Sequence, residues 1–106
     1  FFTQEIMKFI DSNELRKKLK NKENIQLIDI REPYEYEDGA LCNENIPLDK
    51  MMASTDRITR DKPVIIYCRT SRRSTAITYM LEKKYKFTNL YFLKGGYSDY
   101  IKNENS

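Results

Sequence analysis

Apolar residues in this chain fall into short, mostly β-branched runs, separated by stretches with helical spacing. "IMKFI" (6–10), "IQLIDI" (25–30), "PVIIY" (63–67) and "LYFL" (90–93) read as strands. A weaker strand is expected in "LCNENIP" (41–47), because Asn and Glu are poor strand formers. The run at 63–67 is the most apolar, as befits a central strand covered on both faces. Asp11 or Ser12 is placed to cap a helix whose Leu15 and Leu19 share one face. Pro33 suits the first turn of a short helix through Tyr36, which Gly39 ends. Residues 49–60 read as a further helix, with Met51, Met52 and Ile58 available for burial. From Ser74 to about Lys84, the stripe Ala76, Ile77, Met80 and Leu81 predicts another. "KGG" is a turn and 97–103 the last helix. Strands alternating with helices predict an α/β domain: a mostly parallel central sheet, helices on both faces and right-handed crossovers.

Length and composition narrow the function. The 106 residues suffice for one core, assigned to 6–104, with residues 1–5 a tail or expression remnant. The chain begins Phe1-Phe2 rather than Met, as expected of a fragment, a processed form or a tagged product. A net charge of +3 with scattered lysines describes solvated helix faces, not a nucleic-acid surface. No apolar stretch approaches the roughly 20 residues of a membrane span. There is no histidine, so zinc sites and imidazole-dependent triads drop out; no metal and no organic cofactor are expected. The two cysteines, Cys42 and Cys68, form no CxxC pair or disulfide framework. Unpaired thiols favour a reducing, cytoplasmic setting, with export behind a removed leader left open.

The candidate chemistry sits in "VIIYCRTSRRSTAI" (64–77). Cys68 follows the central strand at its carboxyl end, where such sheets bind ligands. A tight loop, 68–73, precedes the next helix. Its amides and those of the helix's first turn can converge on an anion. A thiolate there gains from the helix dipole and from whichever of Arg69, Arg72 and Arg73 turns inward. One cation about 5 Å away, at an effective dielectric near 20, contributes at most roughly 3 kcal/mol. No imidazole is then required, and the same guanidinium groups can hold a small dianion beside the sulfur. The plainer alternative is a buried cysteine acting as a small hydrophobe, with solvated arginines. Cys42 lacks a charge cluster and reads as structural, with a resolving role the minor alternative.

Four segments resemble the rhodanese-like domain family of single-domain sulfurtransferases, from about Ile6 to Glu104. "LIDIREPYEYEDG" (27–39) is similar to its DxREPxEY signature, and "NIPL" (45–48) follows. "YCRTSRRS" (67–74) is similar to its C-R-S-G-x-R-S loop, and "FLKGGYSDY" (92–100) to L-x-G-G-x-x-x-W. The resemblance implies that Cys68 attacks a donor such as thiosulfate, becomes a persulfide and passes the sulfur to a thiol or cyanide. It implies substrate binding by Arg69, Thr70, Ser71, Arg72 and Arg73. The loop amides would stabilise the persulfide and Arg69 with Arg73 would hold the donor, Arg72 being the less certain cation. Asp29 and Arg31 would brace the loop; otherwise they are a surface ion pair of little worth. Partners implied are a small anionic sulfur donor and an acceptor protein or low-molecular-weight thiol. Ser71 replaces a common glycine, Ala40 a frequent histidine and Tyr100 the usual tryptophan. The alternatives are a cysteine-dependent phosphatase of related fold, whose loops carry five residues between Cys and Arg against four here, and a non-catalytic binding or redox-sensing module.

Overall fold

A computed structural model of the chain describes residues 7–104. In chain order the elements are β1 (Phe9–Ile10), α1 (Ser12–Lys20), β2 (Gln26–Asp29), α2 (Pro33–Glu37), α3 (Leu48–Met51) and a 3-10 turn (Thr55–Arg57). There follow β3 (Val64–Tyr67), α4 (Arg72–Tyr85), β4 (Leu90–Leu93) and α5 (Gly96–Glu104). The four strands form one sheet in the order β1-β4-β3-β2, and every pairing is parallel. β3 is interior and buried at all four positions, as its unbroken apolar run predicts.

Side chains alternate across the sheet and build two cores. Val64, Ile66 and Cys68 pack on one face with Ile28, Met51, Ile77 and Leu81, beneath α3 and α4. Ile65 and Tyr67 pack on the other with Leu15, Leu93 and Tyr100, beneath α1 and α5. The α/β architecture with helices on both faces is therefore as expected. No helix among the described residues is long and apolar enough to cross a membrane.

Several boundaries differ from the sequence expectation. The tail assigned to 1–5, and Ile6 of the first expected strand, lie outside the described residues. β1 is only two residues long, because Asp11 caps α1 immediately afterwards through a reciprocal capping box with Glu14. Leu15 is fully buried, but Leu19 is 36% exposed; it lines an open cleft with Ile25 and Leu27. The expected strand at 41–47 reduces to one parallel bridge, Asn45 with Asp29. The expected helix over 49–60 breaks into α3 and the 3-10 turn. The Gln26 side chain causes part of that break: it donates to Arg57 O (2.7 Å) and accepts from Thr59 N (2.9 Å), holding the segment in extended form.

α4 begins two residues earlier than expected, at Arg72, so Arg72 and Arg73 belong to its first turn rather than to the loop. Its buried face is Ser74, Ile77, Thr78 and Leu81. Ala76 and Met80, placed in the stripe by their hydrophobicity, are exposed. Hydrophobic periodicity misses this face because two of its members are small hydroxyl side chains.

Candidate active site

Cys68 directly follows β3, and its side chain is 1% exposed. After it the chain turns at Ser71, which takes φ 90° and ψ −7°, and α4 starts. That left-handed residue folds the loop back over the sulfur. Ser71 N lies 3.2 Å and Ser74 N 3.3 Å from Cys68 Sγ, both donating to it. Ser74 Oγ is 3.5 Å from Sγ and donates to Ser71 O at 3.1 Å. Thr75 Oγ1 donates to the same carbonyl at 2.6 Å. Hydrogen bonds to a charged acceptor contribute about 1.5–3 kcal/mol each, and the N-terminus of α4 adds its partial positive charge. The arrangement stabilises negative charge on the sulfur or on an atom bonded to it.

The arginines divide by role. Arg73 Nη1 meets Glu35 Oε1 at 3.3 Å and so ties α4 to α2. Burial opposes the Arg73 charge, but the hydrogen bond and charge of Glu35, with Cys68 adding, leave its pKa raised. Burial likewise pushes the Glu35 carboxyl up, yet the Glu32 backbone amide and Arg73 together hold it below its ordinary range. Arg69, Thr70 and Arg72 are exposed. Neither Arg69 nor Arg72 has a side-chain ion pair among the described residues.

Asp29 and Arg31 are not a surface pair. Asp29 is fully buried and Arg31 is 3% exposed. Arg31 Nη2 donates to Asp29 Oδ2 at 2.7 Å and to Gly39 O at 2.6 Å, while Nε donates to both carboxylate oxygens. Burial alone would lower the Arg31 pKa, but the Asp29 hydrogen bond and charge outweigh it and leave it raised. The guanidinium also lies 4.1 Å from the centre of the Tyr97 ring. Tyr97 N donates to Cys68 O (2.8 Å) and Ser98 N to Arg69 O (2.9 Å), so the pair supports the loop through the first turn of α5. Gly96 makes that approach feasible: a Cβ there would sit 2.5–2.6 Å from the Arg69 and Cys68 carbonyls.

A family model for the rhodanese-like domain matches residues 11–103. The chain belongs to that family. It is 39% identical over 97 residues to YqhL, an uncharacterized protein of Bacillus subtilis (strain 168), across 91% of this chain and 74% of that one. It is 33% identical over 78 residues to a sulfurtransferase of Allochromatium vinosum, across 72% and 73% of the two chains. The crystal structure of a rhodanese-related protein from Thermoplasma volcanium matches it with a TM-score of 0.80 at 26% identity, covering 91% of this chain and 92% of that one.

Within this rhodanese-like domain the structure places two of the departures from the usual pattern, Ser71 and Tyr100. Ser71 adopts the positive φ that a glycine takes without strain. Tyr100 is buried at 6% exposure, with the Arg16 guanidinium 4.4 Å from its ring centre. Four contributors to the site were not singled out by sequence reasoning: Glu35, Ser74, Gly96 and Tyr97. All four lay inside the segments that carry the resemblance, which gave them no role of their own. Cys42 is on the other face of the sheet, its Sγ 3.8 Å from Tyr67 Oη, and burial pushes its thiol up. Tyr67 and Cys68 point to opposite faces, so Cys42 is not brought beside Cys68.

Proposed function

We propose that this rhodanese-like domain is a sulfurtransferase that carries sulfur on Cys68. The Cys68 thiolate attacks the outer sulfur of thiosulfate or of a persulfide donor. The donor's S–S bond breaks, and sulfite or a thiolate departs with the electron pair. An acceptor thiol or cyanide then attacks the outer sulfur, and the Cys68 thiolate leaves. Arg69 and Arg72 attract the anionic donor, while Arg73, tethered by Glu35, keeps positive charge beside the loop.

The observation that carries this reading is the convergence of Ser71 N and Ser74 N on Sγ, at 3.2 and 3.3 Å. It is favoured over phosphoryl transfer because α4 starts at Arg72. Only Arg69, Thr70 and Ser71 separate that helix from Cys68, a cradle suited to one sulfur atom rather than a phosphoryl group and its leaving group.

Intact mass after incubation with thiosulfate tests the reading. One added sulfur, about 32 Da, is expected on the wild type and not on Cys68→Ser. A parallel incubation with an aryl phosphate should release no phosphate. Turnover of the phosphate with no sulfur uptake would overturn the reading.

A further inference from the structure

Lysines that are scattered along the chain are gathered by the fold at one end of the sheet, opposite Cys68. Three segments meet there: 20–24 ahead of β2, 60–62 ahead of β3 and 84–88 ahead of β4, three neighbouring strands. Hydrogen bonds knit them together. Lys62 Nζ donates to Asn24 Oδ1 (3.2 Å) and Arg60 Nη2 to Tyr85 O (2.9 Å). Asn89 Nδ2 donates to Lys62 O (2.7 Å), and Val64 N to Asn89 O (2.9 Å). The segments carry six cations, Lys20, Lys22, Arg60, Lys62, Lys84 and Lys86, against two acids, Glu23 and Asp61. Lys62 is half-buried and the other five cations are exposed. None of the six forms an ion pair among the described residues, whereas Glu23 is paired with Lys18 at 3.2 Å.

Neither the helices nor the active site accounts for this charge. Lys20 and Lys84 complement the C-terminal dipoles of α1 and α4, but the other four lie beyond the helical turns. The four residues of β3, roughly 13 Å long, separate Cys68 from the patch. That exceeds the screening length of about 8 Å at physiological salt. Lys22 (φ 53°) and Lys86 (φ 61°) hold left-handed backbone, where glycine is the unstrained choice. Like charges are thus crowded together, two of them at strained positions, and backbone strain of this kind points to function.

The make-up of the patch selects its occupant. Five of its six cations are lysine, a residue depleted at protein–protein interfaces. No aromatic side chain of the three segments is exposed to stack on bases, since Phe87 is buried and Tyr85 half-buried. Clusters of about 4–8 lysines or arginines, with no demand for directional bonds, suit the fluid negative field of anionic lipid headgroups. We propose that this end of the domain is a peripheral membrane-binding surface for anionic lipid headgroups. The domain docks reversibly through the amino ends of β2, β3 and β4. The Cys68 loop, at the carboxyl end of β3, then faces away from the bilayer. The inference is independent of the sulfur-transfer reading.

Vesicle sedimentation tests it, comparing phosphatidylcholine alone with an equal mixture of phosphatidylcholine and phosphatidylglycerol. Binding to the mixed vesicles and not to the neutral ones is expected, with release by added salt. The double variant Lys22→Gly with Lys86→Gly removes two charges and relieves both left-handed positions, so the fold should be retained. Its affinity for the mixed vesicles should fall about thirtyfold, the loss of two lysines near the surface. Asp61→Asn removes an opposing charge and should tighten binding about fivefold. Alkylation of Cys68 by iodoacetamide, read by peptide mass, should run at the same rate with and without vesicles. Equal binding to neutral and mixed vesicles, undiminished binding by the double variant, or protection of Cys68 by the vesicles would each overturn the proposal. So would tighter binding of the wild type to duplex RNA than to the mixed vesicles, which would assign the surface to nucleic acid.

Discussion

Gly96→Ala tests whether the first turn of α5 sets the position of the active loop. Gly96 has φ 65°, and a Cβ there would lie 2.5 Å from Arg69 O and 2.6 Å from both Arg69 C and Cys68 O. Ordinary contact begins at 3.4 Å, and the obstructing atoms are backbone, so α5 or the loop must move by close to an ångström. The two hydrogen bonds joining them, Tyr97 N to Cys68 O and Ser98 N to Arg69 O, span the same gap and would stretch together. Each contributes about 1 kcal/mol net. Forcing an L residue into the left-handed region adds about 1–2 kcal/mol. Alanine's smaller unfolded-state entropy returns about 0.5–1 kcal/mol. The expected destabilisation is therefore about 2–3 kcal/mol, or a Tm lower by roughly 10–20 °C for a domain near this size. Because the loop moves, single-turnover sulfur uptake by the folded fraction should also fall, by up to about a hundredfold. Urea unfolding by circular dichroism and rapid-quench mass spectrometry measure the two effects. An unchanged urea midpoint would refute the steric argument. A lower midpoint with an unchanged uptake rate per folded molecule would refute the coupling of α5 to Cys68.

Three further outcomes follow from the same geometry. Asp29→Asn leaves the Arg31 charge buried without its partner and should destabilise the fold by about 3–5 kcal/mol; a loss below about 1 kcal/mol in urea, the range of exposed pairs, would mean the pair is solvated in solution. Ser71→Gly relieves a left-handed serine at some cost in chain entropy, so a gain of about 0.5 kcal/mol with sulfur uptake retained is expected, and a clear loss of stability would contradict the φ of 90° at this residue. Glu35 has a folded-state pKa below its ordinary value of 4.5, so its contribution to stability is full above that pH and declines as pH falls through the folded value. The stability difference between wild type and Glu35→Gln should shrink on acidification below about pH 4.5, and a difference independent of pH in urea titrations would exclude the ion pair as its source.

Much of the sheet was legible because strands are local patterns. "PVIIY" is apolar at every position and lies in the sheet's interior, while "LYFL" and the middle of "IQLIDI" flank it. Helices with a strong local signal were legible too: of the two cap candidates Asp11 and Ser12, Asp11 caps α1, and Pro33 opens α2. Less was legible where a distant side chain intervenes. Residues 49–60 carry helical spacing, yet Gln26, from another strand, takes the backbone of Arg57 and Thr59. Ser74 is polar by composition and buried in fact, because it has Ser71 O and the Cys68 sulfur as partners.

Outside residues 41–60 the sequence by itself determined the order of strands and helices, and it placed the one cysteine flanked by arginines where an apolar, mostly β-branched run stops. Those are properties of neighbouring residues, and local sterics and hydrophobic alternation suffice to express them. Only the tertiary structure decided which charges are committed and which remain exposed. Arg73 is held by Glu35, 38 residues away, and Arg31 is buried against Tyr97 from the far end of the chain. Arg69 and Arg72 are left exposed to solvent. The reason is physical: a charge's partner and its exposure depend on which distant elements pack beside it, and that is settled only when the sheet and its two helical layers close.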